Sequence, residues 1–413
     1  MRTPPPSYGI IYNWDGAPHG YSAYPQSLAQ FIDKVYAPLE DTQVGALAWC
    51  MGLHEATWPS EKLDMVGDST DRRYNWAREM HHNENIRAFF ERGEDLYGAL
   101  IQRGKEQGID TYASLRLNDN HFWDLRPGDL ATTTRNELTP LRKEHPEWLL
   151  GTEHAPDWTS TSWNLAVPEV RDHILKLVGE ACQQADWDGV ELDWQRHAFH
   201  LPDDHGHRLR YTITDLMRAI RTTTDEIAAQ RGRPFYLAVR IATTFESCTN
   251  IGYDIETWTK ENLCDLIISG GNSGTDPGAE IDLLAMTGRF DLIREYLTFL
   301  RQRFNTVITS VHHAGITIPL LEAENIPVDG YLTTVNAPGT FMFPTRELAI
   351  DAIKNATKPV IAIKPMAGGR FLGHQAFEYV FDEVGVQASM FGMGTIDQVR
   401  ETTRAAREVL GAA

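Results

Sequence analysis

The segment "ADWDGVELDWQRHAFH", Ala185 to His200, places two carboxylates, Glu191 and Asp193, inside an apolar run and follows them with Trp194, Arg196, His197 and His200. Ionisable groups are costly where a chain is otherwise building core, unless they are paired or used. Side chains alternate across a strand. Val190, Leu192 and Trp194 then share one face, and Glu191 and Asp193 share the other. Two carboxyl groups are what glycoside hydrolysis needs: one protonates the leaving oxygen, the other is nucleophile or base. Neighbours at i and i+2 have Cα atoms roughly 6.6 Å apart, which suits either stereochemical outcome. A second acid from another strand is the more usual arrangement, and Glu246, Asp119 and Asp15 are the candidates.

The same parity joins Arg116 and Asn118 to Ser114 in "YASLRLND". In "FYLAVRIATTFES" it joins Arg240 to Ala238, Ala242 and Thr244, and brings Glu246 to the mouth if the strand runs that far. Two cations beside two buried carboxylates keep at least one acid ionised. The expected catalytic set is Asp193, Glu246 and Glu191. Arg116 and Arg240 orient it, and Asp15, Asn118, Asp119, Arg196 and His197 meet the substrate. Trp14 is a candidate stacking platform for a sugar ring. Trp194 is another, though by parity it faces outward and reads equally as core. The plain structural alternative is an ion network that only fills space. Against it, a purely structural barrel core is dominated by branched apolar residues, and buried ion pairs stabilise poorly because desolvation offsets their attraction.

These residues need rigid elements to hold them. Ten short β-branched runs, from "GIIYNW" (9–14) to "VQASMF" (386–391), alternate with amphipathic stretches such as "VRDHILKLVGEACQQ" (170–184) and "RFDLIREYLTFLRQRF" (289–304). Strands separated by helices imply βαβ units and a parallel sheet. The expected fold is α/β, a single (β/α)8 barrel over 1–413 with long βα-loop insertions. Ten strand candidates exceed eight staves, so an N-terminal extension over 1–40 is expected to lie outside the ring.

The 413 residues carry a formal net charge of -19, which disfavours nucleic acid as a partner. Neutral or cationic ligands fit better. The start "MRTPPPSYG" lacks a cationic and then apolar leader, and no 18-residue apolar run exists. No membrane partner and a cytoplasmic location are expected. The four cysteines show no CxxC spacing, so neither a disulfide framework nor a zinc ribbon is expected. Paired histidines in "MHHNEN" (80–85) and "VHHAG" (311–315) lack an HExxH spacing and read as loop residues, so no metal is expected.

"YNWDG", "TQVGALAWCMG", "ASLRLNDNH", "HPEWLLG", "NLAVPEVRDHILKLV", "DGVELDWQRH" and "IGYDIETW" occur in that order over residues 8–270. The series resembles bacterial glycoside-hydrolase-like TIM barrels related to the family-10-like hydrolases. The resemblance implies an acidic site around Asp193 with Arg196 and His197 beside it. From about residue 263, "LCDLIISGG", "ITSVHHAGI", "KPVIAIKPMAGGRF" and "FGMGTIDQVRET" resemble the second half of aldo/keto-reductase-like barrels. That likeness implies an anion site at the loops carrying Gly368, Gly369, Gly392 and Gly394. The reductases' Asp/Tyr/Lys/His tetrad has no place in the first half, which argues against nicotinamide chemistry. The expectation is therefore a glycoside hydrolase with a carbohydrate substrate and no cofactor, the oligomeric state, a homo-oligomer included, being left open. A reductase-like barrel holding a phosphate-bearing cofactor and a non-catalytic sugar-binding barrel are the alternatives.

Overall fold

The computed structural model describes residues 3–14, 23–51, 55–74, 76–118, 120, 125–133, 138–153, 159–197, 199–202, 205–242, 245–269, 280–302, 304–371, 373–392 and 396–411. The chain divides into two compact units, Met1–Ser273 and Gly274–Ala413.

The first unit contains β1 (Ile10–Trp14), α1 (Leu28–Tyr36), β2 (Val44–Cys50), α2 (Ala77–Glu91), α3 (Leu96–Gln107), β3 (Asp110–Arg116), α4 (Pro140–Glu144) and α5 (Pro168–Gln183). It continues through β4 (Gly189–Asp193), α6 (Gly206–Arg231), β5 (Tyr236–Ile241), α7 (Phe245–Ile251), α8 (Ile255–Lys260) and β6 (Leu266–Ser269). The six strands form one sheet in sequential order, and every pairing is parallel. Helical crossovers are what let consecutive strands run parallel. Their ends are written locally. Asp95 caps α3 by accepting from the Gly98 amide, and Gly108 stops that helix at φ 69°. Pro168 opens α5, where its missing N–H costs nothing.

Val190 and Leu192 of β4 point into a large core. Val170, Ile174, Leu177, Val178 and Ala181 of α5 meet them there. The opposite face of the sheet carries only a small apolar group, Ala46, Tyr112 and Ala238. Both faces of β4 are buried, so Glu191 and Asp193 sit out of bulk water.

The second unit contains α9 (Glu280–Met286), α10 (Phe290–Arg301), β7 (Ile308–Ser310), α11 (Ala314–Ala323), β8 (Gly330–Thr334), α12 (Arg346–Asn355), β9 (Val360–Ile363), α13 (His374–Phe377), β10 (Ala388–Met390) and α14 (Ile396–Val409). Its four strands are again parallel and in sequential order. Tyr331, Val360 and Ala362 pack with Ile318, Leu321 and Ala349 in a core of its own.

All ten strand candidates are strands, and the α/β class with parallel βα units is present. Among the described residues the strands pair as six and four, not as one ring of eight. No helix of the described residues is long and apolar enough to cross a membrane.

Candidate active site

Glu191 is 1% exposed and fully bonded. Its Oε1 accepts from Arg240 Nε at 2.9 Å and Nη2 at 2.5 Å, and its Oε2 accepts from Asn13 Nδ2 at 3.2 Å. The last bond shows how the sheet bends. Asn13 lies on β1 and Glu191 on β4, with two strands between them. In a flat sheet three strand spacings would separate them by about 14 Å. A hydrogen bond across that gap requires a curled sheet with its charged face concave.

Asp193 is one layer further along, at the carboxyl end of β4 and 7% exposed. Its Cα partners are Arg116 on β3 and Arg240 on β5. Oδ1 accepts the backbone N–H groups of Gln195 and Arg196, at 2.9 and 3.1 Å, and faces Arg240 Nε at 3.8 Å. Oδ2 receives no hydrogen bond from the described residues. Burial, and then the charge of Glu191, raise the Asp193 carboxyl above its ordinary range, against the pull of Arg240, the Gln195 amide and Arg116. Two carboxyls on one strand thus sit in unlike surroundings: one is paired and saturated, and the other is held toward its protonated form.

The turn after β4 is anchored from several sides. The Trp194 carbonyl accepts from Tyr253 Oη at 2.7 Å and from His200 Nε2 at 3.1 Å. Burial lowers the His200 imidazole to about 4, so it stays neutral. His197 has φ 58°, a left-handed value that bulky residues rarely adopt. Its Nδ1 accepts the Asn120 amide at 2.9 Å, which leaves the proton of the neutral ring on Nε2. Arg196 and His197 are half-buried at this rim, beside Asp193.

The remaining expected site residues divide. Arg116 and Arg240 join the two carboxylates, as parity implied. Asn118 is buried elsewhere in purpose: its amide donates to the Trp163 and Phe199 carbonyls at 3.3 and 2.6 Å and accepts the Trp163 N–H at 2.9 Å. With those bonds made, it brackets two loops. Trp14 packs on Trp49, ring centroids 3.9 Å apart, and lies in the core with Phe31, which sets it on the face away from the carboxylates. Trp194 is likewise core. Glu246 is not on an extension of β5. The strand ends at Ile241, and Glu246 is exposed in the first turn of α7. An acidic residue there complements the positive end of the helix dipole, and the strand parity used for it does not apply. Asp15, Asp119 and Gly394 lie outside the described residues. In the second unit, Gly368 and Gly369 have φ 70° and 84° in the turn after β9, and Gly392 follows β10. These strands are adjacent and parallel, so all three glycines lie at one edge of that sheet.

Asn13 was missed by the sequence reading. The signal was present in "IIYNW": alternation puts Asn13 with Ile11, opposite Tyr12 and Trp14. Among the described residues no three His, Cys, Asp or Glu side chains group to hold a metal ion.

No protein-family model and no curated protein matches the chain. Among solved structures, it is similar to the chitinase ChiW from Paenibacillus sp. str. FPU-7, at 12% identity and a TM-score of 0.36, over 97% of this chain and 32% of that one. It is similar to a glycoside hydrolase family 18 N-acetylglucosaminidase from Paenibacillus barengoltzii, at 9% identity and a TM-score of 0.36, over 98% and 100% of the two chains. A protein from Pseudomonas aeruginosa described as an aldo-keto reductase gives 14% identity and a TM-score of 0.25, over 58% and 84%. The chain spans about a third of the chitinase chain. At these TM-scores the likenesses carry no weight for mechanism.

Proposed function

We propose that the protein is a glycoside hydrolase in which Asp193 transfers the proton. One observation carries this reading. On a single strand, Glu191 is saturated by Arg240 and Asn13, while Asp193 is raised in pKa and keeps Oδ2 free of described donors at the carboxyl end of the sheet. Burial and a neighbouring negative charge are the means by which a carboxyl is kept protonated for general-acid work. A raised carboxyl with one oxygen that no described residue bonds suits a general acid that protonates a glycosidic oxygen.

Glu191 is then a positioning residue. Its buried charge raises Asp193, and its ion pair fixes Arg240. Arg116 and Arg240 flank Asp193 and limit how far its carboxyl rises. The second carboxylate of the reaction belongs to another strand or loop, with Asp15 and Asp119 as the candidates that follow β1 and β3 in the chain. Glu246 is the third candidate, from α7.

The test is turnover on a panel of 4-nitrophenyl glycosides, with wild type and Asp193→Asn compared on every substrate that the wild type cleaves. Loss of turnover with folding intact supports the assignment. A folded Asp193→Asn protein with wild-type turnover removes it. A wild type that binds sugars and cleaves none would make the protein a sugar-binding one.

A further inference from the structure

A cleft of about 340 Å³ lies in the first unit, lined by Tyr24, Arg72, Tyr74, Trp76, Met80 and Glu84. Its size falls within the ~300–1,000 Å³ range of small-molecule sites. We infer that it is an accessory carbohydrate subsite that stacks one neutral sugar ring on Trp76 and Tyr24. The inference rests on the glycoside-hydrolase reading for its substrate class, and it concerns residues apart from Asp193.

The walls are aromatic and open. Trp76 remains 56% exposed although the Arg78 guanidinium lies over its ring at 5.7 Å, and Tyr24 is 44% exposed while stacked on His81. Other exposed rings occur in the chain, Tyr211 and Phe245 among them, but Trp76 and Tyr24 line the same cleft. The apolar C–H face of a pyranose is matched to the electron-rich face of such a ring.

The floor is polar and carries no spare positive charge. Arg72 Nε donates to Glu84 Oε1 at 2.9 Å, Arg72 Nη2 pairs with Glu84 Oε2, and Tyr74 Oη donates to Glu84 Oε1 at 2.8 Å. Arg72 Nη1 also reaches Glu91 at 3.1 Å. With its cation committed to two carboxylates, the floor offers hydrogen-bonding atoms and little attraction for an anion. A neutral polyhydroxylated ligand is the chemistry that fits.

The cleft is also preformed. Asn85 of α2 accepts the Gln26 N–H at 2.9 Å and donates to the Ala23 carbonyl at 2.9 Å, which pins the Tyr24 segment to the helix. Asp71 and Arg72 both hold left-handed backbone, φ 50° and 58°, an unusual cost for two successive non-glycine residues. The Tyr24 segment follows β1, and the Arg72–Trp76 segment follows β2. Both follow strands of the parallel sheet that carries Asp193.

The test is native affinity electrophoresis of the full chain in gels cast with glycol chitin, galactomannan or hydroxyethyl cellulose. The wild type is expected to be retarded in at least one gel. Trp76→Ala and Tyr24→Ala should each weaken that binding about tenfold or more, and Trp76→Phe should restore most of it. A wild type that runs freely in all three gels overturns the subsite. So does a Trp76→Ala protein, melting like wild type, that is retarded as strongly. Turnover separates the two readings. If Asp193→Asn kills hydrolysis while Trp76→Ala leaves retardation intact, the subsite alone fails. If Trp76→Ala abolishes retardation in a protein that hydrolyses nothing, the hydrolase reading alone fails.

Discussion

Arg240 grips a single oxygen of Glu191: Nε and Nη2 both meet Oε1, and Oε2 is left to Asn13. The carboxylate is therefore held from two strands, β5 and β1, at once. Removing Arg240 would leave a 1% exposed charge with one amide for company. Arg240→Leu is expected to cost about 3–5 kcal/mol, since stranding one member of a buried pair is expensive. The lower end is expected because a quarter of the Arg240 side chain, 25%, is exposed. Chemical denaturation would measure it, and a loss below about 0.5 kcal/mol would show that Glu191 finds another route to neutrality.

Asp193→Asn keeps size and removes the proton and the charge. Turnover should fall by about 10²–10⁴-fold, the usual contribution of positioned acid–base catalysis. Stability should hold or rise, because the raised carboxyl is one whose ionisation the fold resists. A variant that loses turnover only because it unfolds would fail that second measurement.

Asn118→Ala separates bracket from ligand. It removes three hydrogen bonds, one from the Trp163 N–H and one each to the Trp163 and Phe199 carbonyls, at about 0.5–1.5 kcal/mol apiece. The melting temperature should drop while KM of the folded enzyme stays as it was. A raised KM at unchanged stability would return Asn118 to the substrate.

Glu55, in the connection after β2, gives a pH signature. It is 6% exposed, its Oε1 has no partner among the described residues, and burial pushes its carboxyl from 4.5 to about 8 against hydrogen bonds from Ser69 and Gly67. An acid raised in the fold stabilises it while protonated. The contribution is whole below about 4.5 and is lost as pH rises through about 8. Wild-type melting temperature should therefore decline from pH 5 to 9 more steeply than that of Glu55→Gln. Parallel curves would remove Glu55 as the source.

Much of this was legible in the sequence. Short β-branched runs between amphipathic stretches found all ten strands, and period-two alternation found the shared face of Arg116, Glu191, Asp193 and Arg240, because both faces of a buried parallel strand are strictly segregated by the pleat. It failed where the pleat ends. Glu246 lies five residues past β5, and beyond a strand's last residue parity has no meaning. Trp14 was misjudged by residue type, whereas its parity already set it with Tyr12 and against Asn13. The contact between Asn13 and Glu191 depends on sheet curvature, which no window of a few residues contains.

The row Arg116, Asp193, Arg240 runs straight across three neighbouring strands as Cα partners. A slip of β4 by one residue would turn both carboxylates toward the helices. A slip by two would keep the faces but move Asp193 out from between its arginines, opposite Ser114 and Ala238 or past the strand ends. The native alignment keeps Arg240 on Glu191 and 3.8 Å from Asp193. The groups assigned to chemistry therefore also serve as an assembly key. Variants that neutralise Arg116 and Arg240 together should do more than lose turnover: they should make strand alignment ambiguous, and the yield of correctly folded chain would report it before any assay of activity.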